Sequence, residues 1–249
     1  VVNRDASFIK ELAMSQVKAG ADLLDVNAGT PPDREIDDLV WLVRTVQEVT
    51  LVPLCLDSPN VEALEAAVRE VNHPPMINSI NGDAEKMAKV LPLVRKNDCS
   101  VIALALDETG MPKGVQDRMT VIRRVFDATR AADIQDGNVY VDPLIMTIGT
   151  DNNAGLTVLE TMQTVRAEFP DAHITDGFSN ISFGLPGRSK INCCFLSLVL
   201  QAGMDSAIID PTNPELHEAL LITEMLLGRD RFCRNYTQAF RSGRMGKNN

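Results

Sequence analysis

The chain has 249 residues, a formal net charge of −10 and 45% hydrophobic residues, with aromatics at only 4%. That length suits one (β/α)₈ barrel or two small domains, and it can bury a large core. The negative charge, without any Lys/Arg cluster, argues against a nucleic-acid partner, and no apolar run approaches a membrane span.

In chain order, residues 7–19 place Phe8, Ile9, Leu12, Ala13 and Val17 on one helical face, and Gly20 stops that helix. Asp22–Val26 reads as a strand ending on Asp25 and Asn27. Pro31-Pro32-Asp33 opens a helix with an inner stripe of Ile36, Leu39, Val40, Val43 and Val46. Val52–Leu56 is a strand ending at Asp57, and Ser58-Pro59 starts the next helix. Pro75–Ile77 ends at Asn78, and Asp83 caps a helix carrying Met87, Val90, Leu91 and Val94.

The second half repeats the pattern. Val101–Leu106 ends at Asp107, Val139–Val141 at Asp142, and Ala207–Ile209 at Asp210. Helical periodicity follows each: Met119, Ile122, Val125 and Phe126, then Val158, Leu159, Met162 and Val165, then Leu216, Leu220 and Met225. Between the last two of these strands, the short run His173-Ile174-Thr175 leads into SNISFGLPGR, residues 179–188, with Asn180 read at a strand end. Arg231–Arg241 is expected as a closing helix and Gly243–Asn249 as a frayed tail. No linker or low-complexity tract divides the chain, so residues 1–249 are expected to form one domain.

Asp25, Asp57, Asn78, Asp107, Asp142, Asn180 and Asp210 all close apolar runs, at intervals of about 31 residues, the size of one βα unit. In a parallel barrel these ends emerge on one face. Helix capping is the competing explanation for each residue alone. Together, five carboxylates and two amides suit a neutral heterocycle rich in N–H groups. A phosphate would call for a Gly-rich loop, and neither GxGxxG nor GxxxxGK is present. The five cysteines, Cys55, Cys99, Cys193, Cys194 and Cys233, have no CxxC spacing, so reduced thiols in a cytoplasm are expected. His73, His173 and His217 form no ligand-spaced pair, and no metal site is expected.

DVNAG (25–29), LCLDS (54–58), MINSI (76–80), YVDPLI (140–145) and GFSNISFGLPGR (177–188) together resemble the pterin-binding methyltransferases. The likeness is greatest to the methyltetrahydrofolate:corrinoid protein methyltransferases. It covers nearly the whole chain, with the motifs in order and register. It implies a TIM (β/α)₈ barrel that moves a methyl group between N5 of tetrahydrofolate or 5-methyltetrahydrofolate and the cobalt of a corrinoid (cobalamin). The corrinoid is carried by a partner protein, since this chain has no DxHxxG signature. Carried over by motif, Asp57, Asn78 and Asp142 hold the pterin, Asn180 sits beside N5 as the catalytic residue, and Ser179 and Arg188 contact the folate. Asp25, Asn27, Asp107 and Asp210 are expected to extend the polar ring. The resemblance also implies a cytoplasmic homodimer, with no membrane and no nucleic acid.

The chemistry asks for these residue types on its own terms. A pterin edge presents a ring N–H beside an exocyclic amino group, and one carboxylate accepts from both. An amide near N5 can stabilise charge that develops there only in the transition state. One departure is that the family barrel begins with a strand upstream of the first helix here. Seven strands are counted, and about 20 further residues upstream are expected. Three other readings stay open at this point: a dihydropteroate synthase-like pterin enzyme, a non-catalytic folate-binding barrel, and an unrelated barrel enzyme acting on a carboxylic acid. The first is disfavoured by Thr30-Pro31-Pro32-Asp33 after the DVNAG strand, where a Ser/Thr-Arg-Pro-Gly loop is expected.

Overall fold

The structure, a computed structural model, describes Val1 and residues 3–245. Among these residues six strands form one parallel sheet in sequential order: β1 Leu24–Asn27, β2 Leu54–Asp57, β3 Met76–Ile80, β4 Ser100–Leu104, β5 Val139–Asp142 and β6 His173–Ile174. A helix precedes β1 (α1, Ala6–Lys18), and one lies between each pair of strands: α2 Pro32–Gln47, α3 Val61–Val68, α4 Ala84–Lys96, α5 Val115–Ala131 and α6 Ala154–Glu168. After β6 come α7 Arg188–Ala202, α8 Pro214–Leu226 and α9 Arg234–Arg241. Strictly sequential parallel strands with intervening helices make the β/α wall of a TIM barrel. No helix is long and apolar enough to cross a membrane among the described residues.

The two faces of the sheet follow from side-chain alternation. Leu24, Val26, Leu54, Leu56, Ile77, Val101, Val139, Val141 and Ile174 point to the helices and join the main core. Each such aliphatic side chain contributes roughly 1.5–3 kcal/mol by leaving water. From α2, Leu39, Val43 and Val46 meet that face fully or almost fully buried. Inside the barrel, Cys55, Met76 and Ile102 form a smaller cluster with Leu104 and Tyr140 packed against it. The polar strand ends stand on this inner side. Asn27 is in register with Asp57, and Asp57 with Asn78.

Several boundaries differ from the sequence expectation. Ala207–Ile209 is not a strand, so the count is six, not seven. It runs beside β6 through Ser206 N–H to the Ile174 carbonyl and Ile208 N–H to the Asp176 carbonyl, each 3.1 Å. Because β6 itself is only two residues long, no longer ladder develops there. Helix α3 starts at Val61, later than Pro59, because Asn60 is its cap and accepts from Glu62 N–H at 3.0 Å and Ala63 N–H at 3.4 Å. Arg231–Arg241 splits into a 3₁₀ turn and α9. The Asp230 carboxylate caps α9 through Asn235 and Tyr236 N–H, both 3.0 Å, and Phe232 and Cys233 take positive φ between them. On α1, Ala13 is buried and Ile9 and Val17 pack on the core, while Phe8 (59%) and Leu12 (43%) are exposed. Of the expected frayed tail, residues 246–249 lie outside the described residues.

Candidate active site

The polar strand ends gather in linked pairs. Asn27 donates its side-chain amide to Asp57 at 2.8 Å, and its own oxygen accepts Gly29 N–H at 2.7 Å. Gly29 takes φ +61, which lets the chain fold back onto Asn27 without a Cβ penalty. Asn78 donates to Asp25 at 3.4 Å across β2. The β3 register shifts between Asn78 and Ile80, a local irregularity at the point where Asn78 turns inward. Burial within the barrel raises the Asp25 carboxyl above its usual range and the nearby Asp57 charge adds to this, while hydrogen bonds from Cys55 and Asn78 oppose it. Burial pushes the Cys55 thiol well up, so it stays protonated beside Asp25.

Asp142 at the end of β5 accepts Leu144 N–H at 2.8 Å, a short Asx-type bond that fixes the carboxyl at the barrel mouth. Its other partner is Asp176, two residues beyond β6 and only 2% exposed. Asp176 accepts Ile145 N–H at 2.9 Å. Burial, followed by the charge of and hydrogen bond with Asp142, holds Asp176 well above the ordinary carboxylate range; burial raises Asp142 too. Asp176 is absent from the polar set expected from the sequence. The available signal was its place directly after His173-Ile174-Thr175, where every other run had ended on a carboxylate or amide.

Asn180 lies in a 3₁₀ turn, Phe178–Ser182, and not at the end of a strand as expected; β6 stops at Ile174. The turn is tied down by buried Phe178, Ile181 and Ser182, and the Ile181 carbonyl accepts Ile148 N–H at 3.1 Å. Asn180 itself is exposed, with its backbone closed by hydrogen bonds to Gly177 and from Phe183, each 3.0 Å. Its side-chain amide makes no hydrogen bond among the described residues. Arg188 braces the same turn. It donates to the Ser182 hydroxyl at 3.1 Å and to the Ser179 carbonyl at 3.0 Å, with its guanidinium 5.8 Å from the Phe183 ring centre. Ser182 in turn donates to Asn192 of α7 at 2.7 Å.

Asp107 and Asp210 do not join these pairs. Asp107 accepts Thr109 N–H and hydroxyl at 2.9 and 2.6 Å and an Arg124 ion pair at 3.1 Å. The Thr109 bonds, ahead of the Arg124 charge, hold its carboxyl below the usual range. Asp210 is closed onto Thr212 N–H and hydroxyl at 2.9 and 2.6 Å. Both carboxylates are taken by their own loops. Lys86, in the first turn of α4, is a cation the sequence reading did not place here. Burial lowers its pKa, and the Asp83 and Asp57 charges oppose that.

A parallel β/α sheet with inward carboxylates and amides at its strand ends defines a TIM-barrel protein whose hydrogen-bonding groups gather at the C-terminal ends of its strands. A model of pterin binding enzymes matches residues 2–210, and the chain belongs to that family. It is 37% identical over 248 residues to a methylcorrinoid:tetrahydrofolate methyltransferase of Eubacterium limosum, covering 99% of this chain and 92% of that protein. A methionine synthase of Mycobacterium tuberculosis is 29% identical over 84% of this chain, which spans 18% of that much longer protein. Among solved structures, dihydropteroate synthase from Stenotrophomonas maltophilia shares the fold, with TM-score 0.70, 18% identity and coverage of 89% of this chain and 88% of that one. Dihydropteroate synthase from Xanthomonas albilineans superposes equally well, with TM-score 0.70 at 19% identity, covering 87% of this chain and 83% of that one.

Proposed function

We propose that this protein transfers a methyl group between N5 of tetrahydrofolate and the cobalt of a corrinoid held by a separate protein. One observation carries the reading most directly. Asp57 and Asn78 stand half-buried at the ends of the neighbouring strands β2 and β3, Asp142 stands half-buried at the end of β5, and an exposed amide, Asn180, is held on a braced turn of the same chain. The relative from Eubacterium limosum, matched over nearly the whole chain, supports the substrates and favours methylcorrinoid as donor with tetrahydrofolate as acceptor.

In this reading Asp142 accepts from the ring N–H and exocyclic amine of the pterin, while Asp57 and Asn78 hold the mixed part of its edge. Asn27 and Asp25 orient Asp57 and Asn78. Ser179 and Arg188 contact the folate and fix the turn. In the acceptor direction the N5 lone pair takes the methyl group, the cobalt keeps the bonding electron pair, and the N5 proton leaves to solvent. Asn180 accepts from N5–H in tetrahydrofolate, and in the reverse direction it donates to N5 as negative charge develops there. The corrinoid is a substrate brought by its carrier protein. The Phe183 side chain, 67% exposed beside this turn, offers an apolar contact for that carrier. We also propose a single-domain cytoplasmic homodimer.

The test is an absorbance assay with tetrahydrofolate and free methylcobalamin under anaerobic conditions. Formation of 5-methyltetrahydrofolate with loss of the methylcobalamin spectrum supports the reading. Folate binding without any exchange, even with a competent corrinoid protein, would instead indicate a folate-binding barrel without catalytic activity.

A further inference from the structure

The pterin-holding role given to Asp142 leaves Asp176 unexplained. A carboxyl only 2% exposed has no reason to be an acid unless something uses it. Its surroundings are specific. One oxygen accepts Ile145 N–H at 2.9 Å, and Thr175 N–H bonds the Val141 carbonyl at 2.9 Å. The backbone at the ends of β5 and β6 thus sets the Asp176 and Asp142 carboxyls against each other, where each shifts the titration of the other. Asp142 accepts Leu144 N–H at 2.8 Å. Two carboxyl groups in hydrogen-bond contact need a proton between them, because two carboxylates have no donor to offer each other.

We propose that Asp142 and Asp176 share one proton, with Asp176 as the donor, and that Asp176 is a positioning residue for pterin recognition. Resting on the folate reading above, this makes the acceptor at the barrel mouth a carboxylic acid–carboxylate pair and not a lone aspartate. The Asp176 hydroxyl and Leu144 N–H together set the Asp142 carboxylate, and its remaining lone pairs face the ligand. When the proton leaves, two like charges meet in a buried site, Asp142 is driven off this geometry, and folate binding weakens. Other charged groups near the pair come from different elements. Arg118 of α5 donates to the Pro143 carbonyl at 2.8 Å and the Leu144 carbonyl at 3.3 Å, and it senses the charges of Asp117, Asp151 and Asp176. Its cation sits behind the 143–144 backbone and does not replace the proton in the pair.

The experiment compares wild type with Asp176→Asn and Asp176→Leu. Asn keeps an acceptor for Ile145 N–H and a donor for Asp142, yet cannot titrate. The first readout needs no ligand: the infrared carbonyl stretch of a protonated carboxyl. It should be present in wild type at neutral pH and lost in Asp176→Asn. The second readout is 5-methyltetrahydrofolate affinity from weakly acid to alkaline pH. Wild type should lose up to about tenfold per pH unit above the apparent pKa of the pair. Asp176→Asn should bind like wild type at the acid end and show no alkaline loss. Asp176→Leu, which cannot donate, should bind more weakly across the range. A carbonyl band unchanged in Asp176→Asn, or the same alkaline decline in that variant, overturns the proposal. If wild type binds no folate at any pH, the functional reading fails, and the role in pterin recognition fails with it; the infrared band then decides proton sharing alone.

Discussion

Asn27 and Asp57 are register partners on neighbouring strands, and the Asn27 amide donates to the Asp57 carboxylate at 2.8 Å. Asp57 is therefore oriented before any ligand arrives, by a residue 30 positions earlier in the chain. Replacing Asn27 by Asp puts a second carboxylate against the first. The pair then titrates above the usual carboxylate range, so its contribution to stability is present in acid and lost as pH rises through the raised pKa. Asn27→Asp should melt below wild type at neutral pH and approach it in acid. A melting temperature unchanged at neutral pH would show that the contact has no energetic weight.

Asp142→Ala leaves pterin N–H groups buried without an acceptor. Tetrahydrofolate binding should weaken by roughly 1–3 kcal/mol, the cost of an unmade buried hydrogen bond. Titration calorimetry against wild type reads this directly, and equal affinities would remove Asp142 from the pocket.

Asn180 is exposed and its side chain is free among the described residues, so Asn180→Ala should leave the melting temperature nearly unchanged. The methyl-transfer rate should fall by about 10²–10³, the usual loss for one transition-state donor, while folate affinity falls less. In the direction from 5-methyltetrahydrofolate to the corrinoid, Asn180→Asp should recover activity toward acid pH, where the carboxyl can again donate. Parallel losses in rate and affinity would reduce Asn180 to a binding residue.

Asp25 carries a raised pKa through burial and the Asp57 charge. A raised acid favours the folded state fully below its ordinary pKa, and that advantage is lost as pH rises through the folded value. Asp25→Asn removes the titration while keeping an acceptor for Asn78. Its melting temperature should exceed that of wild type at neutral pH, with the gap closing in acid. A gap that widens in acid contradicts the assignment. The effect should be small, because Asp25 remains open to solvent on its inner side.

Gly82 is a packing requirement at the edge of the site. A Cβ there would stand 2.8 Å from a Val121 methyl and 3.0 Å from the Asp107 Cβ. Its N–H also donates to the Leu106 carbonyl at 2.8 Å, so the backbone has little room to withdraw. Gly82→Ala should destabilise by roughly 1–3 kcal/mol through overpacking, read by chemical denaturation. A neutral result would mean that α5 can move away from the 81–83 loop.

Alternation within each strand, and the spacing from one strand to the next, are local properties. The sequence alone therefore determined the parallel β/α order and the polar strand-end set Asp25, Asp57, Asn78 and Asp142. The motifs carrying the family resemblance lie on these same strand ends. Tertiary structure decided how each strand-end carboxylate is used, because that depends on which donors the adjoining loops offer. Thr109 and Arg124 draw Asp107 aside, and Thr212 does the same to Asp210. Asp176 takes Ile145 N–H from the loop after β5 and faces Asp142 where β5 and β6 end side by side. Asn180 was legible as a residue type but not as a position. Its 3₁₀ turn is held by Ser182, Arg188 and Asn192, contacts that exist only once α7 packs behind it.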